Sequence, residues 1–107
     1  METKTKCKAI ENGKYTKMVT MPKAWCDAYG VNPGSNVGVD IDKGSRVIVF
    51  AKPRAEGVYC RKVIKNGEKS AFVTLPAEWC AKKGIKAGDT VTVQTAGDTL
   101  IIEANNA

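Results

Sequence analysis

Apolar residues alternate with other residues along positions 37–41 and 91–93, and this period of two predicts β-strands with one buried face. Each stretch is followed by a turn that contains glycine and then by a short apolar segment, at residues 47–50 or 100–102. The pattern therefore predicts two similar β-hairpins, one in each half of the 107-residue chain.

Another hairpin is predicted near the start of each half. Asn12-Gly13 and Asn66-Gly67 lie between strand-like segments, and Asn-Gly readily takes the positive φ angles of a two-residue type I′ turn. The predicted strand pairs are residues 6–11 with 15–21, and residues 61–65 with 69–75.

A helix of two turns is predicted between the two hairpins of each half. Pro22 and Pro76 suit the first helical position, and Gly30 and Gly84 suit a left-handed stop. The following Pro33-Gly34 has the residues that a type II turn favours at its centre. Each half is thus predicted to fold as hairpin, short helix, hairpin.

The two halves are interpreted as copies of one unit. A shift of 54 positions aligns residues 8–39 with 62–93, with 13 of 32 positions identical, and beyond residue 43 the shift becomes 53. One copy alone would bury too little surface to be stable, so we expect residues 1–53 and 54–107 to form one structural unit. We predict a mainly β fold with two short helices, closed into a barrel with an internal pseudo-two-fold axis, because closure removes exposed sheet edges.

Positive charge is concentrated in the first hairpin of each copy. The chain has 17 Lys and Arg against 11 Asp and Glu, a net charge of +6. Residues 4–17 and 61–69 together have a net charge of +7, whereas the remaining 84 residues have −1. A two-fold axis would bring these hairpins into one basic surface. The alternative for any single lysine is a solvated strand face.

A basic surface of this kind suits duplex DNA, because each neutralised phosphate releases counterions and adds affinity. Single strands would require exposed aromatic rings for base stacking, and the first hairpins have only Tyr15 and Phe72, at positions that do not correspond. A membrane surface would require a basic amphipathic helix longer than either one predicted here. We therefore expect double-stranded DNA, no membrane and no small-molecule substrate. Without a secretion signal, a cytoplasmic, DNA-associated location is expected.

Catalytic and metal-binding chemistry has little support in the sequence. The chain has no His, which removes the Ser-His and Cys-His pairs of most hydrolases. The cysteines form no C-x-x-C motif, so neither a zinc site nor any other cofactor is expected. We predict core positions for Trp25 and Trp79 and buried free thiols, with disulfides as the alternative. The cysteines are Cys7, Cys26, Cys60 and Cys80.

Two ordered sets of residues carry a family resemblance. They are Val19-Thr20-Met21-Pro22-x-x-Trp25-x-x-x-x-Gly30-Val31-x-x-Gly34 and Val73-Thr74-Leu75-Pro76-x-x-Trp79-x-x-x-x-Gly84-Ile85-x-x-Gly88-Asp89-x-Val91. In order and spacing they resemble the AbrB/SpoVT/MazE-like swapped-hairpin DNA-binding domains, especially archaeal members, over about residues 7–50 and 60–103. The resemblance implies a barrel in which hairpins of the two units interleave, and a role as transcriptional regulator or antitoxin.

The resemblance also implies a set of DNA-binding residues, because basic residues of the first strand, the turn and the second strand contact DNA in that family. In this chain they are Lys6, Lys8, Lys14, Lys17, Arg61, Lys62, Lys65 and Lys69. Family members often have Arg after the turn glycine and before the Pro step. This chain has Lys14 or Glu68, and Thr20 or Thr74, at those places. Lys lacks the bidentate guanine contact of Arg, so phosphate contact and groove shape are expected to contribute more.

The sequence thus predicts a double-stranded DNA-binding protein, a transcriptional regulator that acts without catalysis or cofactor. The alternative is an antitoxin-type module that binds a protein partner and also its own promoter. Such antitoxins usually add a long tail, and here only residues 103–107 extend past the last predicted strand. An enzyme with a reactive cysteine is a third class. Self-association beyond the single chain stays open.

Overall fold

The computed structural model describes residues 4–11, 17–42, 45–52, 59–65 and 71–104, and these residues are mainly β with two helices. The predicted fold class is confirmed to that extent. The Asn-Gly turns predicted at residues 12–13 and 66–67 lie outside the described residues. The elements in chain order are β1 (Lys4–Lys8), β2 (Ile10–Glu11), β3 (Lys17–Thr20), α1 (Lys23–Tyr29), β4 (Asn36–Asp42), β5 (Arg46–Phe50), β6 (Tyr59–Lys62), β7 (Ile64–Lys65), β8 (Ala71–Leu75), α2 (Ala77–Lys83), β9 (Thr90–Ala96) and β10 (Thr99–Ala104).

Both helices begin one residue later than predicted. Pro22 and Pro76 have ψ angles of 130° and 129°, so they are extended N-cap residues, not the first helical ones. The carbonyl of Pro22 accepts the first helical hydrogen bond, from the N–H of Cys26 at 3.0 Å, as an N-cap carbonyl does. The predicted stops are confirmed, because Gly30 and Gly84 have φ angles of 69° and 67°.

The type II turn predicted at Pro33-Gly34 is also confirmed. The N–H of Ser35 donates to the carbonyl of Asn32 at 2.8 Å, and Gly34 between them has a φ of 93°. These are the hydrogen bond and the positive φ of a type II turn. Residues 86–89 repeat the turn, with a 3.0 Å bond and a φ of 94° at Gly88.

The strands form two antiparallel sheets. The large sheet has the order β1-β9-β10-β5-β4-β6, and the small sheet has the order β2-β3-β8-β7. In the part of the chain that is described, the large sheet ends at β1 and β6 and the small sheet at β2 and β7. Neither sheet closes on itself there, so the predicted closed barrel is not confirmed.

The first predicted strand of each copy is divided between the two sheets. β1 pairs with β9 in the other half of the chain, whereas β2 pairs with β3. Ala9, which lies between them, is fully buried. Its N–H donates to the backbone carbonyl of Asp89 at 2.8 Å, and its carbonyl accepts from the backbone N–H of Gly88 at 2.7 Å. The prediction that all of residues 6–11 pair with 15–21 is therefore wrong for residues 6–8.

The second copy has the same division. β6 pairs with β4, and β7 pairs with β8. Val63 exchanges hydrogen bonds of 2.7 and 2.9 Å with Ser35 and Gly34 of the first copy's turn. Residues 61–62 thus do not pair with 69–75 as predicted, because the strand that precedes Val63 pairs with β4 of the other half.

Corresponding residues of the two halves pair with each other in both sheets. Val19 pairs with Val73 in the small sheet, and Ile48 pairs with Ile101 in the large sheet. The shifts of 54 and 53 positions make each of these pairs a correspondence in the sequence alignment as well. A pseudo-two-fold axis through both pairs would produce these registers.

One contiguous core lies between the sheets and the helices. It contains the inward-facing valines of the large sheet, Val19, Val73 and Leu75 of the small sheet, and both tryptophans. Trp25 is 4% exposed, and its indole N–H donates to the carbonyl of Gly97 at 3.0 Å; that of Trp79, 1% exposed, donates to Ser45 at 3.2 Å. Core packing of the tryptophans is confirmed, and each anchors its helix on the last hairpin of the other half.

We expect a chain of residues 1–53 to be unable to fold as a monomer. In isolation β1 loses its partner β9, β4 loses β6, and Trp25 loses the Gly97 acceptor. Circular dichroism and sedimentation equilibrium should show an unfolded chain, or a self-associated one in which two copies exchange strands. A well-folded monomer of residues 1–53 would contradict the dependence of each half on the other.

Candidate nucleic-acid interface

Strand β1 presents a row of lysines to solvent. Lys4, Lys6 and Lys8 are exposed, whereas Cys7 is half-buried and packs against the core. Their partners in β9 are the outward-facing Gln94, Thr92 and Thr90. Alternate residues of a strand are about 7 Å apart, so the row places three positive charges along one edge of the large sheet.

Lys62 lies at the opposite edge of the same sheet, in β6. It is exposed and pairs with Asn36, just as Lys8 pairs with Thr90. Lys8 and Lys62 correspond in the alignment, and they are the only two of the eight predicted residues that do. Four strands separate β1 from β6, so these lysines flank the large sheet and are not in adjacent strands.

Lys17 has a different environment. It is half-buried in β3 and pairs with Glu11 on one side and Leu75 on the other. Its charge also acts on the Cys80 thiol, whose pKa it lowers against the larger raising effect of burial. Lys17 is therefore less accessible to a partner than Lys8 and Lys62.

The other predicted residues are placed only in part. Arg61 pairs in the backbone register with Val37, and Lys65 pairs with Ala71. Their side chains, and the whole of Lys14 and Lys69, lie outside what the structure describes. Of the two first hairpins, the structure brings β3 and β8 side by side, while it puts β1 and β6 at opposite edges.

Lys4 is a candidate that the predicted set omitted. It is exposed and lies on the same strand and face as Lys6 and Lys8. The signal was present in the sequence as the alternation Lys4-x-Lys6-x-Lys8. A strand prediction that began at residue 6 left it out.

Carboxylates lie on the outer face of the inner strands β4 and β10 of the large sheet. Asp42 forms a salt bridge with Arg46, and Glu103 pairs with Arg46 from the neighbouring strand. The hydrogen bond to Asp42 is the largest cause of the raised pKa of Arg46, and the charges of Asp42 and Glu103 add to it. Asp40 adds another carboxylate, paired with Ile48. These three carboxylates outnumber the arginine, so phosphates would be attracted more to the lysines of the edge strands than to these inner strands.

The small sheet has an uncharged face opposite the core. Thr20 pairs with Phe72, and Met18 pairs with Thr74, on either side of the Val19–Val73 pair. Phe72 is only 7% exposed, so its ring is not available for stacking on a base. Tyr15, the other aromatic residue of the first hairpins, lies outside the described residues.

The described cysteines are free thiols, and the pKa of each is raised. Cys26 and Cys80 are buried and free, and Cys7 is half-buried and free, while the side chain of Cys60 lies outside the description. Burial raises the pKa of all three, and with the added charge of Asp27 it raises the pKa of Cys26 to about 11. Free buried thiols are thus confirmed for Cys26 and Cys80. Among the described residues, no cluster of potential metal ligands occurs.

Residues 64–106 match the family model described as antidote-toxin recognition MazE, bacterial antitoxin. The match begins in β7 and includes β8, α2, β9 and β10. The resemblance to the AbrB/MazE-like superfamily is thereby confirmed for residues 64–106. No curated protein and no solved structure matches the chain. Neither helix in the described residues has the length and apolar character that crossing a membrane requires.

We expect Cys26 to react slowly with iodoacetamide in the native protein. A pKa of about 11 instead of 9.0 lowers the thiolate fraction about 100-fold at pH 8. Burial disfavours the thiolate of Cys26, so the folded protein keeps this thiol protonated to higher pH than the unfolded chain does. The resulting contribution to the free energy of unfolding is complete below pH 9 and is lost as the pH rises toward 11. Mass spectrometry should show slow alkylation of Cys26 in the native protein. In denaturant without reductant it should show four alkylated cysteines, and fewer than four would indicate a disulfide.

The variant Cys26→Ala should lose the fall in the free energy of unfolding between pH 9 and 11 that is assigned to Cys26.

Proposed function

We propose that this protein binds double-stranded DNA as a transcriptional regulator, through the exposed lysines of its edge strands. The observation that carries the proposal is the pair Lys8 and Lys62. The same residue occurs at corresponding positions of both halves, is exposed in both, and lies on an outer strand of the large sheet in both. The match of residues 64–106 to a MazE-type family model supports the same class of function.

The architecture of the proposal is a pseudo-dimer of two swapped-hairpin units in one chain, residues 1–53 and 54–107. Three pairings support it: β1 with β9, β6 with β4, and Val19 with Val73. In each of the first two, a strand from the start of one half completes the last hairpin of the other. A two-fold related protein suits a duplex, whose two strands are themselves related by two-fold axes.

Binding in this scheme is mostly electrostatic. Lys4, Lys6 and Lys8 on one edge, and Lys62 on the other, contact phosphates. Lysine positions a protein on the backbone better than it distinguishes bases. Sequence preference then comes from groove shape and deformability. The protein needs no catalysis and no cofactor for this role, and it acts where DNA is, inside the cell.

A second function, recognition of a toxin protein, is favoured by the description of the matching family. It would require a protein partner in addition to DNA. An antitoxin should form a stable complex with a protein encoded beside its own gene. Size-exclusion chromatography of the two co-expressed chains, with and without a duplex, separates this function from DNA binding alone.

We expect Lys8→Ala and Lys62→Ala each to weaken binding to every duplex sequence tested. Each lost phosphate contact should lower the slope of log K against log salt by about 0.9, and the double variant should lose about twice that. Fluorescence anisotropy with a labelled 20-base-pair duplex at several salt concentrations measures the slope. Far-ultraviolet circular dichroism of the same samples reports that the fold is retained.

The matched control is Lys82→Ala. Lys82 is also an exposed lysine, but it lies on α2 and away from the edge strands. The slope of log K against log salt for this variant should equal that of the unchanged protein. Equal losses for Lys82→Ala and Lys62→Ala would show that total charge, and not the edge-strand lysines, holds the DNA.

A further inference from the structure

A surface groove lies between α1 and the last hairpin of the other half of the chain. It has a volume of about 260 Å³, and its lining is Pro22, Ala24, Trp25, Ala28, Tyr29, Thr95 and Gly97. The rings of Trp25 and Tyr29 are 5.8 Å apart with a tilt of 46°, so they meet at an angle. Two aromatic rings thus contribute to the lining of one groove.

Tyr29 is unusual for its exposure. At 40% it is the exposed large hydrophobic residue of the described part of the chain. An exposed ring beside a concave apolar surface is a feature of ligand-contact sites more than of a packed core. The charged residues of α1, Lys23 and Asp27, are exposed but do not line the groove.

The other copy has charged residues where this groove is apolar. The positions that correspond to Ala24, Ala28 and Tyr29 are Glu78, Lys82 and Lys83. Three differences in one small region all make the α1 side uncharged, whereas the tryptophan and the proline are the same in both copies. The apolar lining of the groove is therefore specific to the half that contains α1.

The size of the groove limits its occupant. Sites for drug-sized molecules have volumes of about 300–1,000 Å³, so this groove holds a molecule of one or two fused rings. A stable protein interface buries about 800 Å² on each partner, which is far more than a groove with one exposed ring provides. Neither Lys nor Asp nor Glu lines it, so a charged ligand would gain no partner.

We propose that this groove is a binding site for a small uncharged aromatic molecule of about the size of indole. The ligand ring contacts the exposed face of Tyr29 and the edge of Trp25, with Ala24 and Ala28 below it. Because Gly97 belongs to the other half of the chain, a bound ligand contacts both halves at once. The site is a ligand site and not a catalytic one, and it does not depend on the DNA-binding proposal.

The two tryptophans provide the test, since the chain has only these two. Unlabelled indole is titrated into the ¹⁵N-labelled full chain, and the two indole N–H signals are followed by NMR, with Trp79→Phe used to assign them. The signal of Trp25 should shift and saturate at millimolar indole, because its N–H donates to Gly97 at the groove. The signal of Trp79 should stay in place.

Ala28→Lys introduces the residue of the other copy at an exposed position and should weaken indole binding at least tenfold. Ala81→Lys, the same change at an exposed position of α2, should leave it unchanged. A shift that does not saturate, equal shifts at both tryptophans, or undiminished binding by Ala28→Lys would overturn the proposal. Tighter binding of N-acetyltryptophan amide than of indole would also overturn it, in favour of an aromatic side chain of a peptide partner.

Discussion

The hydrogen bonds of Ala9 and Val63 decide how the two halves of the chain are joined. Each residue is buried, and each exchanges two backbone hydrogen bonds with the turn that follows the helix of the other half. A buried backbone group without such a partner would cost about 1–3 kcal/mol, so both residues are held where these turns are. The strands that precede these two residues, β1 and β6, pair with the last hairpin of the other half. The same exchange of strands is accompanied by one shared core and by hydrogen bonds from both tryptophans to the opposite half.

The same exchange makes β1 and β6 the edges of the large sheet, and edges have their own constraint. An unpaired edge is a template for aggregation, and exposed lysines are a common way to block it. Lys4, Lys6 and Lys8 satisfy that requirement whether or not they bind DNA. Edge protection requires a charge somewhere on each edge strand. It does not require that the charges occur at corresponding positions, as they do at Lys8 and Lys62. That correspondence is the reason to assign phosphate contact to these two residues first.

Local signals were enough to predict several parts of the fold. Gly30 and Gly34 mark conformations with positive φ that few other residues adopt, so the helix end and the turn follow from their neighbours alone. The choice of partner strand depends on contacts far apart in sequence. Nothing beside Ala9 distinguishes a continuous strand from one that changes sheets, because a small apolar residue suits both. For the same reason, the sequence did not separate the exposed Lys62 from the half-buried Lys17.

The two halves of the chain differ in sequence, and the differences are not spread evenly. The pairs formed by corresponding residues are identical: Val19 with Val73 in the core, and Ile48 with Ile101 on the outer face of the large sheet. The edge strands are less constrained: the residue that corresponds to Lys6 is Cys60. The β1 edge consequently carries more positive charge at these outward positions than the β6 edge. A duplex bound across the two edges would be held unequally, and a preference for one orientation on asymmetric DNA follows from that inequality.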